Sequence, residues 1–173
     1  SLREIHEVLN HKKAFDFMLN HKGDITKEFI LQLHNLIVAN TLREDLISQT
    51  GKYRKVQVFI GRDIPPNSHE VPKQMTTLLR WYSTNKKKLH PLVLASYFHT
   101  EFERIHPFVD GNGRVGRLLM NFILYKNKYP MINIPKKKKF QYYEILQNAQ
   151  HKGNLRGFVK FLLDILKKEE LRF

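Results

Sequence analysis

The 173-residue sequence predicts an all-α domain that carries one small β-hairpin. Through most of the chain, apolar residues recur every three to four positions, which is typical of amphipathic helices. One segment, 51–61, instead alternates apolar residues with other residues, as a strand does. The length and the 42% of hydrophobic residues suit a single domain, 1–173, with a sizeable core.

The N-terminal half is predicted to contain three helices. Apolar residues keep helical spacing over 5–19 and 29–37, and turn and N-cap residues at 23–26 separate these two helices. Pro72 suits the first turn of a third helix, which continues on one apolar face until the polar stretch 83–85.

Four more helices are predicted in the C-terminal half. Pro91 opens a helix whose apolar face runs directly up to His106. The next helix starts at or just after Gly113, because the apolar positions that follow it fit a helical period. Residues 142–150 and 158–166 predict the last two, with a Gly-Asn turn between them.

The strand-like segment lies between the second and third predicted helices. Val56, Val58 and Ile60 alternate with other residues, and the Pro-Pro-Asn-Ser run at 65–68 then forces a turn. A short β-hairpin is therefore expected there.

A phosphate-handling site is predicted at 106–117, where a histidine, a carboxylate, a glycine loop and two arginines lie close together in sequence. Gly111 and Gly113 flank Asn112, and such a backbone can take positive φ and turn successive N–H groups toward one anion. The helix that begins there points its N-terminus at the same anion.

The charged residues of this segment fit the same chemistry. Arg114 and Arg117 are three apart on a helix and are predicted to converge on the anion, since forked guanidinium groups suit phosphate oxygens. Asp110 can hold a divalent cation shared with substrate phosphates, although it could instead cap the helix. His106 can act as a general base near neutral pH. Each residue alone would more often be structural, so the prediction depends on their joint occurrence.

The segment resembles the signature of the Fic-domain family, written H-x-F-x-[D/E]-G-N-G-R-x-x-R, at every fixed position. The matching residues are His106, Phe108, Asp110, Gly111, Asn112, Gly113, Arg114 and Arg117. Members of that family typically transfer the AMP part of ATP to a Ser, Thr or Tyr hydroxyl of another protein and release pyrophosphate. The resemblance extends over roughly 5–166 and implies the helical Fic fold, with ATP as co-substrate.

The same resemblance implies a role for each motif residue. His106 would deprotonate the target hydroxyl, Phe108 would be buried and orient the loop, and Asp110 would bind Mg²⁺ (or Mn²⁺) between the α- and β-phosphates. The phosphates would lie against Gly111, Asn112, Gly113, Arg114 and Arg117. The complete G-N-G-R run differs from the degenerate loop of the kinase-like Doc branch, which favours nucleotidyl over phosphoryl transfer.

A flap over the site is also implied. Gly51, Tyr53 and Arg54 resemble a G-x-Y-R stretch that precedes a β-hairpin flap in the family, which places the flap at roughly 53–70. In the family this flap holds a segment of the target protein by strand-like main-chain pairing. A target protein is thus the implied partner, and a homodimer stays open.

The adenine pocket of the family is lined by a Y-Y-x-x-L segment, and the residues that resemble it are Tyr142, Tyr143 and Leu146. Aromatic faces stack on bases, but ordinary helix core explains Tyr142 equally well. Gln150 stands where some relatives carry an adenine-contacting Asn. CTP-like or phosphocholine donors therefore remain alternatives to ATP.

Two further alternatives come from other features of the chain. The net charge of +14, with lysine runs at 86–88 and 136–139, would suit a nucleic-acid-binding helical domain, but no zinc-finger, RNP or basic-zipper pattern accompanies it. Removal of AMP, the reverse reaction, needs in relatives an inhibitory [S/T]-x-x-x-E-[G/N] helix. Residues 1–5 have Ile5 where that Glu belongs, and Glu169 and Glu170 lack the right neighbours. The lack of this Glu disfavours the reverse reaction, and one hypothesis is that the sequence is a fragment that starts after an upstream inhibitory helix.

No apolar run approaches a membrane span and no signal-peptide pattern opens the sequence. The absence of cysteine excludes disulfides and fits a reducing compartment. No membrane association and a cytoplasmic location are therefore expected.

Overall fold

The computed structural model describes residues 1–61 and 63–170, without the side chains of residues 169 and 170. Position 62 of the predicted flap and the side chains of Glu169 and Glu170 therefore fall outside the described residues. The helices of the described chain are α1 (Leu2–Asn20), α2 (Lys27–Val38), α3 (Val71–Asn85), α4 (Pro91–Ile105), α5 (Asn112–Lys126), α6 (Lys139–Lys152) and α7 (Leu155–Glu170). They confirm all seven predicted helices.

Local sequence signals set the helix boundaries. Thr26 caps α2 by accepting a hydrogen bond from the Phe29 N–H at 3.1 Å, as its position before the apolar run predicts. Pro91 lies in the first turn of α4, and Gly153 ends α6 with a φ of 65°. The changes of chain direction are thus encoded close to where they occur.

The core forms around α4 and α5. Helix α4 packs against α3, α5, α6 and α7, while α5 also contacts α1 and α2. Phe98, Phe102, Phe122 and Phe158 are fully buried on these helices, and burial of each such side chain contributes about 1.5–3 kcal/mol. The end of α4 and the start of α5, between which the motif lies, are therefore held by the best-packed part of the molecule.

The expected β-hairpin is reduced to one antiparallel bridge. Ile60 and Asp63 exchange backbone hydrogen bonds of 3.0 and 2.9 Å around a turn in which Gly61 has a φ of 58°. Pro65 and Pro66 have no N–H to donate, so the ladder cannot continue beyond the turn. The predicted strand over 56–60 is wrong, and only the tight turn of the hairpin is present.

Side chains replace the missing ladder between the two arms of the flap. The Gln57 amide donates to the Pro65 carbonyl at 3.0 Å, and the Ser68 hydroxyl donates to the Lys55 carbonyl at 3.2 Å. The flap is thus an irregular loop whose arms are tied by polar side chains.

The lysine runs lie at helix boundaries. Lys86 forms an ion pair with Asp24, and Lys136–Lys138 form a 3-10 turn that leads into α6. Within residues 1–61 and 63–170, none of the helices has both the length and the apolar character that crossing a membrane requires.

Candidate active site

His106 is the first residue after α4 and has a left-handed backbone, with φ 50° and ψ 62°. Its N–H donates to the Phe102 carbonyl at 2.9 Å and so closes the helix. A residue other than glycine in this conformation costs about 1–3 kcal/mol, and such strain is found where a function requires it.

Arg54 supports this turn from the flap. The side chain is fully buried, and its Nε donates to the His106 carbonyl at 2.8 Å. Its Nη1 donates to the Val56 carbonyl at 3.1 Å, and its Nη2 donates to the carbonyls of Ile105 at 3.4 Å and Pro66. One guanidinium group therefore joins the flap to the histidine turn.

The glycine loop depends on one residue with positive φ. Gly111 has a φ of 82°, and a Cβ there would lie 2.9 Å from Cγ1 of Val38. Helix α5 already begins at Asn112, so Gly113 lies in its first turn and does not have the positive φ that we expected. Gly113 instead leaves room for Arg117, whose Nη1 would be 3.1 Å from an added Cβ.

The Asn112 side chain closes the loop from inside. Its Oδ1 accepts from the Phe108 N–H at 2.9 Å, and its Nδ2 donates to the Phe108 carbonyl at 2.8 Å. Because the buried amide is used in this way, Asn112 offers an anion its backbone N–H and not its side chain.

Phe108 is fully buried, as expected, and stacks on His34 with ring centroids 3.7 Å apart. His34 Nδ1 accepts from the Gly51 N–H at 3.0 Å, so Nε2 carries the proton and donates to the Asp110 carbonyl at 3.0 Å. Burial lowers the pKa of His34 to about 4 and keeps the ring neutral. His34 was not predicted as a site residue, because its only signal in the sequence is its position on the apolar face of α2.

The protonation state of His106 follows from its contacts. Nδ1 lies 3.3 Å from the backbone carbonyl of Glu103, which can only accept, so Nδ1 carries the proton and Nε2 does not. Burial lowers the pKa of His106 to about 4, and the charge of Arg54 lowers it further, whereas the Glu103 carbonyl and Asp110 oppose this. The ring is therefore neutral at pH 7, as a general base requires.

His106 opens onto a cavity of about 760 Å³ between the flap, α4, α5 and α6. This volume suits a ligand of nucleotide size. The predicted site residues that line it are His106, Gly113, Arg117, Tyr142, Tyr143, Leu146 and Gln150, whereas Asp110, Gly111, Asn112 and Arg114 do not. The flap turn borders the cavity as well, with Asp63 among the lining residues. Asp63 also holds the turn against α6, because it accepts from Gln147 at 3.0 Å and lies 3.3 Å from His151 Nε2.

The two motif arginines do not converge. Arg117 lines the cavity, whereas Arg114 turns toward α1, with Nη2 3.4 Å from Asp110 Oδ1 and Nη1 3.8 Å from Glu7 Oε1. The carboxylates of Glu7 and Asp110 provide the physical reason, since they attract Arg114 to the opposite side of the loop.

Asp110 can bind a cation only if other ligands complete the coordination shell. Its Oδ1 accepts from the Gly111 N–H at 2.6 Å, and Oδ2 lies 3.5 Å from Arg3 of α1. The described part of the chain has no cluster of three or more His, Asp or Glu residues that could hold a metal by itself. A partly exposed carboxylate of this kind fits Mg²⁺, which commonly takes one or two protein carboxylates and completes its shell with substrate phosphates.

The proposed base-binding wall is partly core. Tyr142 is buried and its hydroxyl lies 2.7 Å from Nε2 of the buried His99, as a helix-core residue would be. It also lines the cavity, and its contact with a base stays a prediction. Tyr143 is about half-exposed, and the Gln150 amide donates to the Thr100 carbonyl at 3.3 Å.

The fold and the site together define a class of all-α proteins with a glycine loop that follows a histidine. A model of the Fic/DOC family matches residues 24–124, and the chain belongs to that family. Protein adenylyltransferase Fic of Drosophila melanogaster is 38% identical over 172 residues, which cover 97% of this chain and 34% of that protein. The chain thus spans about a third of the length of the curated relatives it matches.

Two solved structures have the same fold. Fic-1 from C. elegans has a TM-score of 0.87 with 28% identity, covering 99% of this chain and 51% of that one. A Fic domain-containing signaling protein from Bacteroides thetaiotaomicron has a TM-score of 0.84 with 29% identity, covering 96% of this chain and 70% of that one.

Proposed function

We propose that the chain is a protein adenylyltransferase that moves AMP from ATP to a Ser, Thr or Tyr hydroxyl of a target protein. One observation carries the proposal, namely that His106 lines a cavity of nucleotide size while its Nδ1 contact leaves Nε2 without a proton. The curated relatives named protein adenylyltransferase Fic support the same reaction.

In the proposed reaction, the target hydroxyl oxygen attacks the α-phosphorus of ATP and its proton passes to His106 Nε2. The bond between the α-phosphorus and the bridging oxygen breaks, and pyrophosphate leaves. Because the phosphorus is already activated, the protein mainly needs to position the groups and neutralise charge. The N-terminus of α5 and Arg117 supply this on the cavity side.

Other residues would complete the site. A bound Mg²⁺ or Mn²⁺ would neutralise charge on the phosphates, with Asp110 as its protein ligand. The base would lie against Tyr143 and Leu146, beside Tyr142 and Gln150. The target segment would run along the flap, where Phe59 and Ile64 are exposed. Arg114 would turn from Asp110 toward the phosphates when they bind.

The test uses Mg²⁺ and ATP labelled at either the α- or the γ-phosphate, with label followed on the protein itself and on a cell lysate. We expect transfer from the α-position alone and a loss of about 10²–10⁴-fold in His106→Ala. His6→Ala, which replaces a histidine of α1 outside the flap and the cavity, is the control and should keep activity.

Transfer of the γ-label would indicate phosphoryl transfer and contradict the proposal. Activity that persists in His106→Ala would contradict the role of the histidine. Binding of nucleic acid that weakens with salt, without any label transfer and without an effect of His106→Ala, would favour the nucleic-acid alternative.

A further inference from the structure

A buried carboxyl group lies next to His106 and has no role in the proposed transfer of AMP. Glu103 is on α4, three residues before His106, and its side chain is only 9% exposed. It lines the same cavity as His106 and Arg117. Among the described residues, its Oε1 is buried without a hydrogen-bond partner. A carboxyl group in this state is costly, and buried unpaired groups of this kind are frequent at functional sites.

The packing of α4 on α5 leaves room for this carboxyl group. A Cβ at Gly116 would lie 2.6 Å from Glu103 Oε1 and 3.1 Å from Phe102 Cδ1. No side chain larger than hydrogen fits at position 116 while Glu103 stays where it is. The carboxyl group of residue 103 on α4 therefore occupies space that is free only because residue 116 on α5 is glycine.

The geometry connects Glu103 to the proton that His106 would accept. Glu103 Oε2 lies 3.9 Å from His106 Nδ1, on the side of the ring opposite to Nε2. When Nε2 takes the proton of the target hydroxyl, the ring becomes a cation, and a carboxylate at this distance stabilises it. We propose that Glu103 is a positioning residue that acts through His106, holding the ring and stabilising its imidazolium form during transfer. This inference rests on the proposed function.

The surroundings of Glu103 predict a pH dependence. Burial raises the pKa of Glu103 to about 7, although the charge of Arg117 opposes this. The other titratable groups that face it are His99 on α4, Tyr142 on α6 and His106. Burial lowers the pKa of both histidines to about 4 and raises the pKa of Tyr142 above its usual range.

Glu103 is therefore the group of this set that changes charge between pH 6 and 8. Because only the ionised form stabilises the imidazolium, the rate of transfer should rise as pH increases through about 7.

The test compares Glu103→Gln, which keeps the shape and removes the charge, with Glu101→Gln as matched control. Glu101 is on the same helix, pairs with Arg104 and does not line the cavity. The kcat and the KM for ATP of α-label transfer are measured from pH 5.5 to 9. We expect Glu103→Gln to lower kcat roughly 10- to 100-fold at pH 8, to leave KM within about 2-fold, and to abolish the rise near pH 7. Glu103→Asp should restore part of kcat and keep the rise.

Two results would overturn the inference. An unchanged kcat with the same pH profile would mean that the carboxyl group only fills space. A raised KM with an unchanged kcat would mean that Glu103 serves Arg117 and ATP binding instead.

A second measurement does not need label transfer and so separates this inference from the proposed function. The ¹⁵Nδ1 resonance of His106, assigned with His106→Ala, is followed by NMR as pH changes. We expect a shift with a midpoint near 7 in the wild type and in Glu101→Gln, and no such shift in Glu103→Gln. A wild-type resonance that does not respond near pH 7 would refute the coupling of the two groups, whatever the activity.

Discussion

At the scale of single residues, the side chains around the motif divide into those that sequence patterns reveal and those that they do not. The twelve-residue signature from His106 to Arg117 identifies the loop because its members are neighbours in sequence. His34 was missed because its importance depends on a distant partner, the Asp110 carbonyl, 76 positions away. Glu103 was missed because its burial depends on how α4 packs against Gly116 of α5. Spacing along one helix shows that such residues face inward, but not what they meet there.

Gly116 gives a prediction at this scale. In the interior of an ordinary helix, replacing glycine by alanine raises the free energy of unfolding by about 1 kcal/mol. At position 116 the new Cβ would instead collide with Glu103 Oε1 and Phe102, so Gly116→Ala should lower the free energy of unfolding by about 1–3 kcal/mol.

Urea denaturation of the variant measures this change. Gly116→Ala in a Glu103→Ala background is the control, because shortening residue 103 removes the closest contact and should recover part of the loss. A variant that is as stable as the wild type would contradict the close packing of α4 on α5.

At the scale of elements, periodicity predicted the helices well and the flap poorly. Each helix buries one apolar stripe, and that stripe is set by residues three and four apart, which the sequence displays directly. The flap has no comparable rule, since Val56, Phe59 and Ile60 remain exposed and Pro65 and Pro66 interrupt the ladder. Apolar alternation predicts a strand only where a partner strand can pair with it.

The contact between the flap turn and α6 gives a prediction at this scale. Asp63 accepts from Gln147 and lies beside His151, so the turn closes one side of the cavity. Asp63→Ala should release the turn and speed the dissociation of bound ATP by roughly 3- to 10-fold, because about 1 kcal/mol of polar contact is lost.

Stopped-flow dissociation of a fluorescent ATP analogue checks this rate. Glu144→Ala, which changes an exposed carboxylate of α6 outside the cavity, should leave it unchanged. Equal dissociation rates for wild type and Asp63→Ala would show that the turn does not restrain the nucleotide.

At the scale of the whole molecule, buried titratable groups set how stability depends on pH. Burial lowers the pKa of His34, His99 and His106 from 6.5 to about 4. The unfolded chain therefore binds more protons between these values, and the histidines' contribution to stability is complete above pH 6.5 and lost as pH falls toward 4. Glu103 acts in the opposite sense, because its pKa is raised from 4.5 to about 7 and its ionisation destabilises the fold.

We predict that the free energy of unfolding decreases as pH falls from 6.5 to 4.5, since three histidines outweigh one carboxyl group. Above pH 7, Glu103→Gln should be more stable than the wild type, by up to roughly 3 kcal/mol, because the buried charge is gone. Chemical denaturation at pH 4.5, 6.0 and 7.5 measures both effects. A wild-type free energy of unfolding that is constant over this range would contradict the burial of neutral histidines. The difference between Glu103→Gln and the wild type at each pH gives the contribution of Glu103 apart from that of the histidines.

The buried guanidinium of Arg54 has a consequence for any attempt to give the protein a new target. It donates to the carbonyls of Val56 and Pro66 in the two arms of the flap and to that of His106. If a flap from another protein replaced this one, the Arg54 side chain would connect it to the histidine turn. Under the proposed function, in which the flap holds the target, exchange of specificity requires that the graft begin after position 54 and present two carbonyls at the same places. Otherwise the turnover rate would change together with the choice of partner.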